Sequence, residues 1–457
     1  MPRTKLSLLD SMFLASESRE SMMHVGGLLI FDRAGAAGPG FLRDLADEVR
    51  RSPVVHAPWS LRLRHPDFLS HPRQAWVEDD AFDMEYHLRR SALPSPGGER
   101  ELGILVSRLH SGQIDFHRPP WELHLIEGLE GERFGMYIKM HHALVDGYTA
   151  MRVLASSLSG GPEDHAAPMF FALERTSRGP RPEGGATLGA LLRMARDQLG
   201  TSRNVGRAVL NVAKSVAKRD KSLLAPMQAP KTILNGRVGR ARRFATQQYA
   251  LDRLKGLGKR FGGTLNDVVL ALCGAALRRH LLELGALPEK PLIAMVPVNV
   301  RPKDDPGGGN AVGAILASLA THVADPRARI EAIIASTTAA KDQLRGMTKG
   351  AIIQYSALLM TPLGLQNMTG TAGRTRPAFN VVISNVPGPR EPLYFRGARL
   401  LANYPLSIPF HGYGLNITVN GYAGTLNFGF TACRDALPHM QRLAVYAGEA
   451  LEELEQA

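Results

Sequence analysis

Met140-His141-His142-Ala143-Leu144-Val145-Asp146-Gly147-Tyr148 is the stretch on which the reading of this chain turns. Ahead of it, Phe134-Gly135-Met136-Tyr137-Ile138-Lys139 has the β-branched and aromatic character of a strand, entered from the turn-like Glu130-Gly131-Glu132. Behind it, Tyr148 to Leu158 predicts a helix with Met151, Val153, Leu154 and Leu158 approximating one apolar face. The histidines are therefore expected where a strand ends, and Asp146 close to a helix start, where a carboxylate is favoured. Neighbouring strand side chains point to opposite faces, so one histidine can face a cleft while the other is structural or lines the opposite wall. An HExxH zinc site is excluded, because Ala143 follows the pair and no histidine recurs at helical i, i+4 spacing. No metal site is expected here. On physical grounds alone the pair is two candidates of equal standing.

Bulk properties narrow the class. At 457 residues the chain has room for about three domains. Its hydrophobic share of 44% beside 21% charged residues is that of a globular protein. No apolar run approaches the length of a transmembrane helix, and the amino terminus lacks the apolar core of a secretory signal. Only Cys273 and Cys433 are present, which argues against a disulfide framework and fits a cytoplasmic protein. Cys273 lies in the apolar run Val268–Leu277 and reads as packing. A net charge of +13 favours an anionic partner: nucleic acid, an acidic membrane or a phosphorylated co-substrate. Nucleic acid is set aside, since aromatics make up only 6% of the chain and do not interleave with the basic residues.

Along the chain, residues 1–160 form one expected unit. Its elements are a capped helix at Ser7–Leu14, a buried strand at His24–Phe31, an amphipathic helix from Phe41 to Arg50, and strands around Leu61–Arg64 and Gln74–Glu78. Gly103 to His110 reads as helix, and Ile114–Trp121 as a loop into the strand Glu122–Ile126. His24, His87 and His124 have no partner at metal spacing and read as packed or surface residues. Residues 161–240 are a linker: Gly160–Asp164 and Ser177–Gly185 are loop-like, and Thr187–Leu224 is a basic amphipathic helical pattern. That pattern suits either a helical crossover with a solvated basic face or a helix on an anionic membrane. Residues 241–457 form the second unit. Strands are expected at Phe244–Leu251, Leu292–Val298, Ala378–Asn385, Leu415–Asn420 and Thr425–Phe430. A helix over Leu251–Phe261, a long apolar helix capped by Thr264-Leu265-Asn266-Asp267, and a final helix after Leu437-Pro438 join them. Both halves mix strands with helices, so the expected fold class is α/β, a pair of α+β sandwiches.

Six further motifs extend the pattern: Met23-His24-Val25-Gly26-Gly27, Tyr86–Pro94, Arg118-Pro119-Pro120-Trp121-Glu122, Leu265-Asn266-Asp267-Val268, Ser384-Asn385-Val386-Pro387-Gly388-Pro389, and Leu415–Thr418 with Leu426–Gly429. With HHxxxDG at 141–147, this ordered set resembles the bacterial wax ester synthase/diacylglycerol acyltransferase family from Met23 to Gly429. One departure is visible: Pro119-Pro120-Trp121 stands where the family has Pro-Leu-Trp. HHxxxDG alone is shared with condensation and acetyl-transfer enzymes; the ordered set is much more specific. The resemblance implies two chloramphenicol-acetyltransferase-like domains with a tunnel at their interface. It implies transfer of a fatty acyl group from acyl-CoA, a co-substrate rather than a bound cofactor, to a long-chain alcohol or to diacylglycerol. It also makes His142 the general base.

Acyl transfer from a thioester to an alcohol needs a base, an oxyanion donor and exclusion of water. Positioned general bases contribute roughly 10²–10⁴-fold, and no covalent acyl-enzyme is required; the chain has no GxSxG elbow. His141 then reads as a support, Asp146 as a brace on the loop more than a relay, and Gly147 as a permissive backbone position. Asn266 is the candidate oxyanion donor, with an ordinary helix cap as its plain alternative. Ser384, Asn385, Pro387 and Gly388 either shape the tunnel wall or serve the turn alone. Gly307-Gly308-Gly309-Asn310 lacks the end of a P-loop and reads as a surface loop. Two rival functions remain: a condensation-type acyltransferase fed by a carrier protein, and a non-catalytic lipid-binding or lipid-body protein. Peripheral contact with the inner membrane face or lipid bodies would run through residues 187–224.

Overall fold

The structure, a computed structural model, describes residues 4–33, 38, 40–51, 54–67, 71, 74–145, 147–173, 224, 227–299, 312–345, 347 and 349–457. The first half contains β1 (Thr4–Lys5), α1 (Leu8–Ser16), β2 (His24–Asp32), α2 (Phe41–Arg51), β3 (Leu61–Leu63), β4 (Ala75–Glu78), α3 (Met84–His87), β5 (Leu88–Ala92), α4 (Glu99–His110), β6 (Trp121–Leu129), β7 (Arg133–His141) and α5 (Gly147–Ser156). The second half contains β8 (Arg242–Ala250), α6 (Leu251–Arg260), α7 (Leu265–Glu283), β9 (Ile293–Asn299), β10 (Val312–Ser318), α8 (Pro326–Leu344) and α9 (Lys349–Met368). It continues with β11 (Val381–Val386), β12 (Tyr394–Phe395), β13 (Ala398–Leu406), β14 (Leu415–Tyr422), β15 (Thr425–Cys433) and α10 (Arg442–Gln456).

Two six-stranded sheets carry these elements, in the orders β12-β13-β2-β7-β6-β5 and β10-β9-β11-β14-β15-β8, with a small sheet β1-β4-β3 at the side. Alternation along β14 shows how each sheet sorts its residues. Leu415, Ile417 and Val419 enter the core beneath α6, α7, α8 and α10, while Asn416, Thr418 and Asn420 take the opposite face. α7 runs through that core almost wholly buried from Asp267 to Leu277, which is why its sequence is apolar all round. In the first sheet, Val25, Leu29 and Phe31 of β2 meet α2 and α5, and Leu28 and Ile30 meet α4.

The halves are not cleanly divided. Residues 394–406 fall within the second unit as drawn at 241–457, yet β13 pairs antiparallel with β2, Leu406 opposite Gly26 and Arg399 opposite Asp32. The second half thus contributes an edge to the first sheet. Gly429 of β15 marks a close approach of the two sheets, since a Cβ there would overlap the carbonyl oxygen of Pro405. Arg242, 2% exposed, fastens the same junction. Its guanidinium donates to the carbonyls of Gly239, Glu20 and Pro409, and its N–H to Ser111 Oγ at 2.8 Å. The basic stretch Thr187–Leu224 (apart from Leu224 itself) and the loop Gly307–Asn310 lie outside the described residues.

Candidate active site

β7 and β2 pair in register with His141 opposite His24, and the strand ends there. Backbone hydrogen bonds then fix the path of the chain through the motif. His141 N–H donates to Pro120 O at 2.9 Å, His142 N–H to Met23 O at 2.9 Å, and Leu144 N–H to His141 O at 2.9 Å. The Met-His-Val-Gly-Gly and Pro-Pro-Trp motifs thus flank the histidine pair because their backbones hold it. Gly147 opens α5, one residue earlier than the sequence pattern suggests; Asp146 lies outside the described residues.

The two histidines occupy different surroundings. His141 is 1% exposed, and its Nδ1 accepts the Ala143 N–H at 3.1 Å. In the neutral ring the hydrogen therefore sits on Nε2, which lies 3.5 Å from the Glu17 carboxylate. Phe116 packs its ring edgewise on His141 at 5.1 Å. Glu17 in turn accepts the Met23 N–H at 2.5 Å and the Gln113 amide at 3.0 Å. His142 is only partly buried, and the ring of Phe13, in the last turn of α1, stacks on its imidazole at 3.9 Å and 20°. His141 is thus locked into the protein, while His142 is partly exposed, with the Phe13 ring stacked on its imidazole and its backbone N–H on Met23 O.

A chain of buried polar groups lies behind His141. Lys139, 1% exposed, pairs with Glu122 at 3.0 Å and donates to Leu109 O and Gly112 O at 3.2 and 3.0 Å. His124 and Arg89 approach the same Glu122 oxygen at 3.2 and 3.4 Å. Burial alone would push the Glu122 carboxyl up; the His124 hydrogen bond and the Lys139 and Arg89 charges outweigh it and hold the group down at about 2. Burial lowers His110 to about 3 and keeps it neutral, its Nδ1 at 2.8 Å from Tyr137 Oη and its Nε2 3.2 Å from Ser407 O across the junction. His24, also driven down by burial, places Nε2 2.9 Å from His110 O. His87 stacks on Trp121 at 4.4 Å and binds its carbonyl at 2.8 Å. His24, His87 and His124 are packed residues.

Asn266 is the second residue of α7, and the cap belongs to others. The Asp267 carboxylate accepts the Thr264 N–H and hydroxyl at 2.7 Å each, and Thr337 Oγ1 at 2.6 Å. The plain alternative for Asn266 is thereby removed. Ser384 and Asn385 lie on β11, paired with Thr418 and Val419, and Ser384 shares the sheet face that confronts the first half. The turn after β11 is tight: a Cβ at Gly388 would overlap the Gly421 carbonyl oxygen. Pro387, Gly388 and Pro389 wall an apolar cavity of about 370 Å³ with Leu29, Met151, Leu154 and Leu158, so the turn meets the α5 helix of the histidine motif. Leu29 stands five residues along β2 from His24, roughly 17 Å at strand rise. Phe13, Glu17 and the Lys139–Glu122 pair escape sequence reading. Each acts through partners distant in the chain, and although Glu122 ends the Arg118–Glu122 motif, nothing local pairs it with Lys139.

Residues 6–269 match the wax ester synthase/diacylglycerol acyltransferase catalytic domain, and residues 308–455 match the C-terminal domain of the same family. The chain belongs to this family. It is 52% identical to a Mycobacterium tuberculosis protein provisionally named diacylglycerol O-acyltransferase, across 98% of this chain and 97% of that one. With the O-acyltransferase WSD of Acinetobacter baylyi it shares 41% identity across 98% and 96%. The wax ester synthase/diacylglycerol acyltransferase of Marinobacter aquaeolei VT8 superposes with a TM-score of 0.81 at 38% identity, covering 99% of both chains. The first condensation domain of the calcium-dependent antibiotic synthetase shares the fold at 17% identity, with a TM-score of 0.59 over 99% of this chain and 95% of that one. As a wax ester synthase/diacylglycerol acyltransferase family member, the chain is an acyltransferase enzyme.

Proposed function

We propose that the enzyme moves a long-chain acyl group from acyl-CoA to the hydroxyl of a long-chain alcohol or of diacylglycerol, with His142 as general base. One observation carries the assignment of the base. Of the two motif histidines, His141 has Nδ1 engaged by a backbone N–H and Nε2 beside Glu17, whereas His142 is partly exposed at the strand end. Its Nδ1 is buried, and in this reading Nε2 is the nitrogen assigned to the substrate hydroxyl.

In this reading His142 takes the acceptor hydroxyl proton as its oxygen attacks the thioester carbonyl. The carbonyl π electrons move onto oxygen, and Asn266 donates to that oxyanion. Collapse breaks the carbon–sulfur bond, and the departing thiolate takes the proton back from the imidazolium. Ester and free coenzyme A result, with His142 neutral again. Phe13 packs on the ring, the Met23 carbonyl holds the His142 backbone, and Asp146 is assigned as a brace on the loop. The apolar cavity beside Pro387–Pro389 supports a site for alkyl chains. Ser384 and Asn385 shape the wall that leads to it. The basic amphipathic pattern of Thr187–Leu224 supports peripheral contact with an anionic membrane or a lipid body; among the described residues no helix is long and apolar enough to cross a membrane.

Product analysis with labelled palmitoyl-CoA, offering hexadecanol and diacylglycerol in competition, tests this directly. Ester from either acceptor supports the proposal. Ester only with an acyl-carrier protein donor would move the enzyme to the condensation type, and lipid binding without turnover would leave a binding protein.

A further inference from the structure

α9 has an outward side that the described fold leaves uncovered. Its inward side carries Ala351, Tyr355 and Leu359, four residues apart, of which Tyr355 and Leu359 cluster with Ile293, Leu316 and Phe379. Val382 packs against the same cluster, and alternation puts Val382 on the sheet face of Ser384, Asn416 and Thr418. α9 therefore covers one end of the face that the second sheet turns toward the first half. On the other side of the helix, Leu358, Leu365 and Met368 are 42%, 60% and 87% exposed. No charged residue occurs from Gly350 to Met368, although a solvent-facing helix surface ordinarily carries charge.

The surroundings of this apolar side are basic. Neither aspartate nor glutamate occurs between Asp342 and Glu391. Gln366 holds the loop after the helix by donating to Thr375 Oγ1 at 3.0 Å and Arg376 O at 2.6 Å, and Lys231 Nζ donates to Arg374 O at 2.8 Å. Lys231, Arg374 and Arg376 are exposed, and the Arg376 guanidinium reaches Gln228 O beside Met227, itself 36% exposed. Exposed apolar side chains with described cations at the loop that ends the helix, and no acidic residue in the sequence of the helix or that loop, are complementary to an anionic lipid surface.

We propose that α9 and the loop 369–376 dock the enzyme on an anionic phospholipid surface, with Leu365 and Met368 entering the acyl layer and Lys231, Arg374 and Arg376 at the headgroups. The purpose of docking, delivery of lipid substrate to the cleft, rests on the acyltransfer reading; the docking itself is read from α9 alone. The full-length protein is co-sedimented with vesicles of equal parts phosphatidylcholine and phosphatidylglycerol, and with phosphatidylcholine alone. The Leu365→Glu/Met368→Glu variant should partition at least about tenfold more weakly. Lys231→Gln/Arg374→Gln should lose most of the preference for the anionic vesicles. Both should keep the parent melting temperature and the turnover of detergent-dispersed substrates. Unchanged sedimentation of both variants overturns the proposal. So does a homodimer in light scattering that Leu365→Glu/Met368→Glu dissociates without altering vesicle binding, since a second copy would then cover the face. Vesicle binding by a parent enzyme that forms no ester would reject the acyltransfer reading and leave the docking surface standing.

Discussion

Replacing Glu122 with Gln tests how the floor of the site is held. The carboxylate is 4% exposed and is the counter-charge for Lys139, 1% exposed, at 3.0 Å. The amide keeps the volume and removes the charge, leaving a buried ammonium with neutral acceptors, the Leu109 and Gly112 carbonyls and the amide oxygen, but no counter-charge. Removing one partner of a buried pair costs about 3–5 kcal/mol. If the chain melts as one unit, unfolding entropy near 2.1 cal/mol/K per residue converts that into a fall of roughly 3–5 °C. A pH signature accompanies it. The folded carboxyl titrates at about 2, below its unfolded value, so its contribution is complete above the unfolded value and is lost as pH falls toward about 2. That acid limb is worth roughly 3 kcal/mol. Differential scanning calorimetry from pH 7 downward should show a lower melting temperature for Glu122→Gln at pH 7 and a shallower acid decline. Adding Lys139→Met should recover part of the loss, since the stranded charge is then gone. A variant that melts like the parent at both ends of the range refutes the reasoning.

Two smaller perturbations bear on the site. Gly388→Ala forces a methyl group into the Gly421 carbonyl; it should cost about 1–3 kcal/mol in urea denaturation and shift acceptor preference, because the same turn walls the apolar cavity. Unchanged stability and unchanged preference would mean that the turn is not seated against β14. Phe13→Ala removes the ring stacked on His142 and should lower kcat between about 10- and 100-fold with little change in KM. A change confined to KM would assign Phe13 to substrate contact instead.

Much of this architecture is legible in local sequence. The strand before His141, the α7 cap at Thr264 and Asp267, and the alternation of β14 and β15 follow from periodicity and turn chemistry, because those choices are made within a few residues. What is decided over long distances is not legible. Ala398–Leu406 has nothing in its own pattern to say that it leaves the second half and joins β2; the pairing is set by which edge is open and by the contact of Gly429 with Pro405. His141 and His142 are indistinguishable as types, and what separates them is the Ala143 N–H within the motif and Phe13 and Glu17, contributed from more than 120 residues before it. Asn266 is open between cap and oxyanion donor in sequence alone; the Thr264–Asp267 hydrogen bonds take the capping role away from it.

Single-turnover ester formation by His142→Ala, compared with His141→Ala, tests the central claim most directly. With labelled palmitoyl-CoA and hexadecanol, His142→Ala should lose at least about 100-fold in the chemical step while keeping its fold and donor binding. His141→Ala should lose stability first, since it empties a 1% exposed position beside Glu17. Near-parent turnover in a folded His142→Ala enzyme, with activity abolished in a folded His141→Ala enzyme, would contradict the account.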